Sequence, residues 1–220
     1  MSPMKRSLFF FLTLCIANVA FAQATDQSIK VPAATLESVQ RATQTLANNA
    51  LKGKFGYAID NMYPRFKKKQ EATLGKKIDA RSIESQTTSS LNKMGVTITS
   101  YTAGRPVGVF KVWQQIVPSK KVKIDQGIKV NLKDSDVFQN WMFIVPTTQV
   151  WTFTSQKGGP PRKAEIKSFQ IVIAQDLAVP GQEKWSFIDG TGMTTRELRS
   201  VFPSLPLLLE LPKPSKTEIK

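Results

Sequence analysis

Ala164–Gly190 reads AEIKSFQIVIAQDLAVPGQEKWSFIDG, and the rest of the chain is organised around it. Ile166 to Ala174 and Lys184 to Ile188 are short runs rich in β-branched and aromatic residues, the composition of strands. Pro180-Gly181 supplies the turn between them. Strands joined this closely are antiparallel neighbours. Asp189-Gly190 ends the second run, as expected of a turn pair.

Upstream, the same alternating signal recurs. Val137 to Thr154 is long and aromatic, with Phe138, Trp141, Phe143, Trp151 and Phe153. Pro146 cannot donate a ladder hydrogen bond, so it should mark a bulge or an edge there. Val96 to Tyr101 and Val107 to Val117 predict two further strands. In Val107 to Val117 both faces are partly apolar, so periodicity does not choose the inside. Ser119 to Asp136 is polar and Lys-rich, a connection, and Lys157 to Pro161 is a turn.

Before the strands the period is helical. Ala33 to Ala50 places Leu36, Val39, Leu46, Ala47 and Ala50 on one face. Phe55 to Phe66 resumes that spacing, and Pro64 should distort or end it near Tyr63. Asp79 suits the N-cap of a third helix, in which Ile83, Thr87, Leu91 and Met94 share a face and which Gly95 ends. After Gly190, Thr194 and Glu197 have capping-box spacing and predict a short helix through about Arg199. Proline excludes regular helix from the leucine-rich end, so Leu205 to Leu211 is expected to lie extended in a groove. Lys213 to Lys220 is expected to be disordered.

The first residues predict export. Lys5 and Arg6 precede an apolar run from Leu8 to Ala22, and Ala20-Phe21-Ala22 fits a signal-peptidase site, with cleavage after Ala22. Leu12 to Cys15 lacks the small residue that a lipoprotein box needs before its cysteine. Removing 22 residues from 220 leaves 198, enough for one domain, taken as 23–212. Lys5 and Arg6 leave with the signal, so 29 basic residues face 16 acidic ones, a net +13. Cleavage removes the only cysteine, Cys15, and there is no histidine. Disulfides, Cys/His zinc sites, a Ser-His-Asp triad and a histidine switch are thereby excluded. No cofactor and no metal site is expected. Catalysis, if any, would rest on carboxylates, tyrosine or lysine.

Helices followed by a curved antiparallel sheet make an α+β order. The residues Asn61-Met62-Tyr63-Pro64, the aromatic strand through Trp151 and the closing Lys184–Gly190 give the chain a pattern that resembles the nuclear-transport-factor-two-like cone. There, helices close the open side of a bent sheet. It also resembles small exported bacterial proteins of unknown function. The resemblance implies a cone-like fold over roughly Leu36 to Pro212, possible pairing through the sheets, and no single function.

Candidate sites follow, each with its ordinary alternative. Asp60 and Tyr63, three apart on one helical side, would be acid and hydroxyl donor at a pocket mouth, with Asp189 joining them. The alternative is a solvated aspartate, a partly buried tyrosine and turn chemistry at Asp189. Trp113, Trp151 and Trp185 would line an apolar ligand cavity, or else pack the core. Lys67, Lys68 and Lys69, with Lys120, Lys121 and Lys123, lie in expected connections. They suit diffuse attraction to an anionic surface, or simple solvation. They lack the interleaved aromatics of a nucleic-acid groove, so no specific nucleic-acid partner is expected. Gly190-Thr191-Gly192 begins like a phosphate loop, but Thr195 stands where a third glycine belongs. The expected function is a periplasmic or secreted binding protein for a small apolar molecule or an envelope protein. The alternatives are a carboxylate/tyrosine isomerase or hydrolase, and a basic protein on anionic envelope surfaces.

Overall fold

A computed structural model describes residues 30–115, 137–154, 159–175 and 179–219. The expected signal segment, the 119–136 connection with Lys120, Lys121 and Lys123, and Lys157 and Gly158 of the 157–161 turn lie outside the described residues. The elements are α1 (Ala33–Leu51), α2 (Gly56–Asp60), α3 (Pro64–Leu74), α4 (Ala80–Lys93), β1 (Val96–Ala103), β2 (Gly108–Gln115), β3 (Val137–Phe153), β4 (Arg162–Ala174), β5 (Trp185–Asp189), α5 (Thr195–Val201) and β6 (Ser215–Ile219). The fold is α+β, with helices on a six-stranded, wholly antiparallel, open sheet.

Two long central strands set the plan. β3 pairs with β4 from Met142↔Ile173 to Phe153↔Arg162. Each outer edge then carries two short strands end to end. Residues 137–144 of β3 take β2, and residues 147–153 take β1. On β4, residues 170–174 take β5, and residues 163–167 take β6.

Pro146 sits at the junction between β1 and β2. Its carbonyl accepts from the Gly104 N–H at 2.8 Å. A residue's N–H and C=O point the same way in an antiparallel ladder, so the missing donor faces a gap where none is needed. The bulge lies elsewhere, between Ile98 and Ser100 of β1.

Both faces of the sheet centre are covered, which is why its sequence is continuously apolar rather than alternating. Met142 to Val145 and Ile171 to Ile173 are all 0% exposed. On one face Phe143, Val145, Val172, Trp185 and Phe187 pack under Val39 and Leu46 of α1. On the other, Met142, Ile144, Phe169, Ile171 and Ile188 pack under Leu198, Val201, Phe202, Leu205 and Leu209.

The α1 face differs from its expected stripe. Leu36 is exposed, while Thr35, Ser38 and Thr43 are buried against the sheet. Each of these hydroxyls has a partner. Thr35 Oγ1 donates to Glu183 Oε1 at 2.6 Å, Ser38 Oγ accepts from Trp185 Nε1 at 2.8 Å, and Thr43 Oγ1 donates to the Val39 carbonyl at 2.8 Å. Gln44 serves the outer edge of β1. Its amide donates to the Tyr101 carbonyl at 3.3 Å and accepts from the Ala103 N–H at 3.1 Å, standing in for a further strand.

Burial by itself would raise the Glu183 pKa. Hydrogen bonds from Thr35, from the backbone at Glu183 and Gly181, and from Ser38 outweigh it and hold the carboxyl below its ordinary range. A depressed folded-state pKa gives stability that is present above the unfolded carboxylate value of about 4.3 and is lost as pH falls through the folded value. Thr35→Val should therefore cost about 1 kcal/mol at neutral pH. The difference from the parent should narrow as urea midpoints are taken to acid pH.

Four expectations change. The helix read across Phe55 to Phe66 ends at Asp60. Tyr63 takes φ −56, ψ 121 because Pro64 disfavours helical geometry in the residue before it, and Pro64 then opens α3 as its first residue. Lys67, Lys68 and Lys69 consequently lie on α3, not in a connection. The tail expected to be disordered supplies β6, because β4 is 13 residues long and β5 only five. The open half of the β4 edge is filled by residues that are all exposed, through backbone pairing. The leucine-rich end is not extended along a groove. It is a series of turns in which Leu205 and Leu209 are buried while Leu207 and Leu208 protrude.

Candidate functional site beside the first helix

Phe143 and Val145 of β3 fix which face carries the α1 cluster. Alternation then puts Thr147, Gln149, Trp151 and Phe153 on the same face. Their β4 partners on that face are Ser168, Ile166, Ala164 and Arg162. Ile98 lies opposite Trp151, and Tyr101 opposite Gln149. The bulge at Thr99 is what brings Ile98 and Tyr101 to one face despite their odd spacing.

This face has two zones past α1. The nearer is a polar belt. Tyr101, Thr147 and Gln170 are buried, and the Tyr101 hydroxyl lies among the polar side chains of Thr147, Gln170 and Gln149. Burial first, and the charge of Asp189 second, raise the Tyr101 pKa against the opposing influence of those neighbours. Tyr101 is therefore a neutral hydroxyl at physiological pH, able to donate and accept but not to serve as a base. The farther zone is apolar. Ile98, Trp151, Phe153 and Ile166 are all half-buried there. Trp151 Nε1 donates to Gln149 Oε1 at 2.7 Å, which ties the two zones together. Trp151 and Phe153 stand 6.3 Å apart between ring centroids. Lys216 of β6 lies 4.8 Å over the Phe153 ring. Phe153, Ala164, Arg162, Lys163, Lys216 and Glu218 line a recess of about 340 Å3 at this end.

Comparison with known protein families, characterised proteins and solved structures finds no match.

The residues singled out from sequence are dispersed. Asp60 is exposed at the end of α2. Tyr63 is buried in the opposite cluster, its ring 5.0 Å from that of Phe202, and burial raises its pKa against the nearby Arg65. The Asn61–Tyr63 backbone pairs with Phe187 and covers the outer edge of β5. Asp189 is exposed, and its Oδ1 accepts from the Thr191 N–H at 3.0 Å, the turn chemistry of an Asp-Gly pair. Among the described residues no hydrogen bond joins Asp60, Tyr63 and Asp189; the tyrosine whose titration Asp189 influences is Tyr101.

Trp185 is 7% exposed and belongs to the core, with its indole bonded to Ser38. Trp151 is on the open zone, and the Trp113 side chain lies outside the described set. At Gly190 a Cβ would stand 2.2 Å from the Phe169 ring, so that glycine serves packing rather than a phosphate. Among the described residues no cluster of three or more Asp, Glu, Cys or His could hold a metal ion.

Proposed function

We propose that this is an exported binding protein that holds a small, mainly apolar molecule on the sheet face beside α1, the place a cone-like fold offers. One observation carries the reading. Ile98, Trp151, Phe153 and Ile166 form a half-buried apolar floor beside a belt of neutral hydroxyls and amides, with Asp189 at its edge opposite Gln170. Ligand sites are mostly apolar, with a few polar groups that fix orientation. A neutral belt of Tyr101, Gln149 and Gln170 suits a carbonyl or hydroxyl on the ligand. Its oxygen would sit near the Tyr101 hydroxyl while its hydrocarbon part covers Trp151.

Native mass spectrometry of the protein purified from its own host tests this. The expected spectrum contains a discrete adduct that leaves on gentle activation. Trp151→Ala should lower its occupancy at least about 10-fold, because truncating a large aromatic contact removes one to a few kcal/mol of binding. A bare mass in the parent, or an adduct indifferent to Trp151→Ala, would sink the reading.

A further inference from the structure

The turn Pro206–Leu209 is the second place where the surface departs from what folding requires. Its two central residues are Leu207, 77% exposed, and Leu208, 93% exposed. Turn centres ordinarily carry Gly, Asn, Asp or Ser, because those residues favour the local geometry. Nothing local calls for two leucines. The turn is also held firmly. Leu205 and Leu209 on either side are buried, the Leu209 N–H donates to the Pro206 carbonyl, and Thr195 Oγ1 donates to the Leu209 carbonyl at 2.8 Å. The leucine pair is thus presented rigidly and outward from the layer that covers the second face of the sheet.

That layer is cationic. α3 packs into it through Phe66, with Tyr63 just before it in the cluster, and Lys69 donates to Ser200 of α5. α3 contributes Arg65 and Lys67 to Lys69, while α5 and the chain beyond the turn add Arg196, Arg199 and Lys213. These seven cations face three carboxylates over residues 64–74 and 194–213. Two of the three are held in local backbone bonds. Glu71 accepts from the Ile78 N–H at 3.0 Å, and Glu197 caps α5 through Thr194.

We propose that this layer docks on an anionic phospholipid bilayer. The leucine pair enters the headgroup–acyl boundary and the surrounding cations meet the lipid phosphates. Interfacial binding combines a small buried apolar area with attraction to anionic lipid, which matches both features. A protein partner is disfavoured because two aliphatic side chains are far short of the roughly 1,200 Å2 that a stable protein interface buries. Among the described residues no helix is long and apolar enough to cross a membrane, so the contact is interfacial.

The test is cosedimentation of the protein, purified from an exporting bacterial host, with vesicles of phosphatidylglycerol and phosphatidylcholine. Phosphatidylcholine alone is the control. Binding is expected only to the anionic vesicles and should weaken at least about 10-fold between low and high salt. Leu207→Ser with Leu208→Ser touches no buried contact, so the protein should stay folded while partitioning falls about 30-fold. Leu208→Trp should show a blue-shifted emission increment over the parent when vesicles are added. Three outcomes overturn the proposal. Undiminished binding of the double serine variant, or an unshifted Leu208→Trp on bound protein, would mean that cations act without the leucines. No vesicle binding would leave the leucine pair to a protein partner.

Discussion

Gly190→Ala is expected to destabilise the protein by about 3 kcal/mol, read as a lower urea midpoint with an unchanged slope. A Cβ at Gly190 would stand 2.2 to 2.6 Å from three ring atoms of Phe169. Such contact is relieved only by moving one partner, and neither is free. Phe169 is 1% exposed, in the cluster with Ile171, Ile188 and Phe202. The Gly190 N–H donates to the Phe169 carbonyl at 3.0 Å, which closes the end of the β4–β5 ladder. The methyl would therefore displace a core ring or break the ladder's last bond. Phe169→Leu in the same chain should return part of the loss, because a smaller side chain vacates the space. If Gly190→Ala were neutral, the close approach of turn and ring would be wrong, and so would the packing of the β5–α5 turn on the sheet.

The Phe169–Gly190 contact shows which parts of the fold could be read in advance. Features settled within a few residues were legible. The Thr194/Glu197 capping box forms, Asp79 caps α4 by accepting from the Ser82 N–H, and Gly95 follows α4 at φ +63. The strand runs were legible too, since β-branched and aromatic composition marks them locally.

What depends on distant pairing was not. β6 has five exposed residues and therefore no burial pattern; its strand character comes from an unpaired stretch of β4 about 50 residues upstream in the chain. The inner face of α1 is partly Thr and Ser, and those residues become buriable only because Glu183 and Trp185 arrive opposite them. Tyr101 was missed for a similar reason. Strict alternation would set it on the face opposite Ile98, and only the bulge at Thr99 turns it toward Gln149 and Gln170. No signal in the local sequence announces that bulge. Asp60 and Tyr63 failed in the other direction. Helical spacing places them together, but the extension that Pro64 forces on Tyr63 sends the two side chains to different places.

Trp185 gives the second large effect, and it separates a core tryptophan from a ligand-lining one. Trp185→Ala should cost about 4 kcal/mol, the usual scale for deleting a large aromatic from a core. The ring meets Phe143 edge-on at a centroid distance of 5.7 Å, so deletion empties space at the centre of the α1 cluster. Trp185→Phe should cost less, about 2 kcal/mol, divided between lost ring volume and a buried Ser38 hydroxyl left without its indole partner. That division can be measured. Ser38→Ala added to Trp185→Phe cannot lose the indole–hydroxyl bond a second time, so the double variant should be more stable than the sum of the single losses predicts, by about 1 kcal/mol. Strict additivity would mean that the 2.8 Å indole–hydroxyl bond contributes nothing to stability. A ligand-lining tryptophan would behave differently, because its truncation changes adduct occupancy more than the unfolding midpoint. The two tryptophans should therefore exchange roles between the two assays: Trp185 governing stability, and Trp151, half-buried on the open zone of the same face, governing what is bound there.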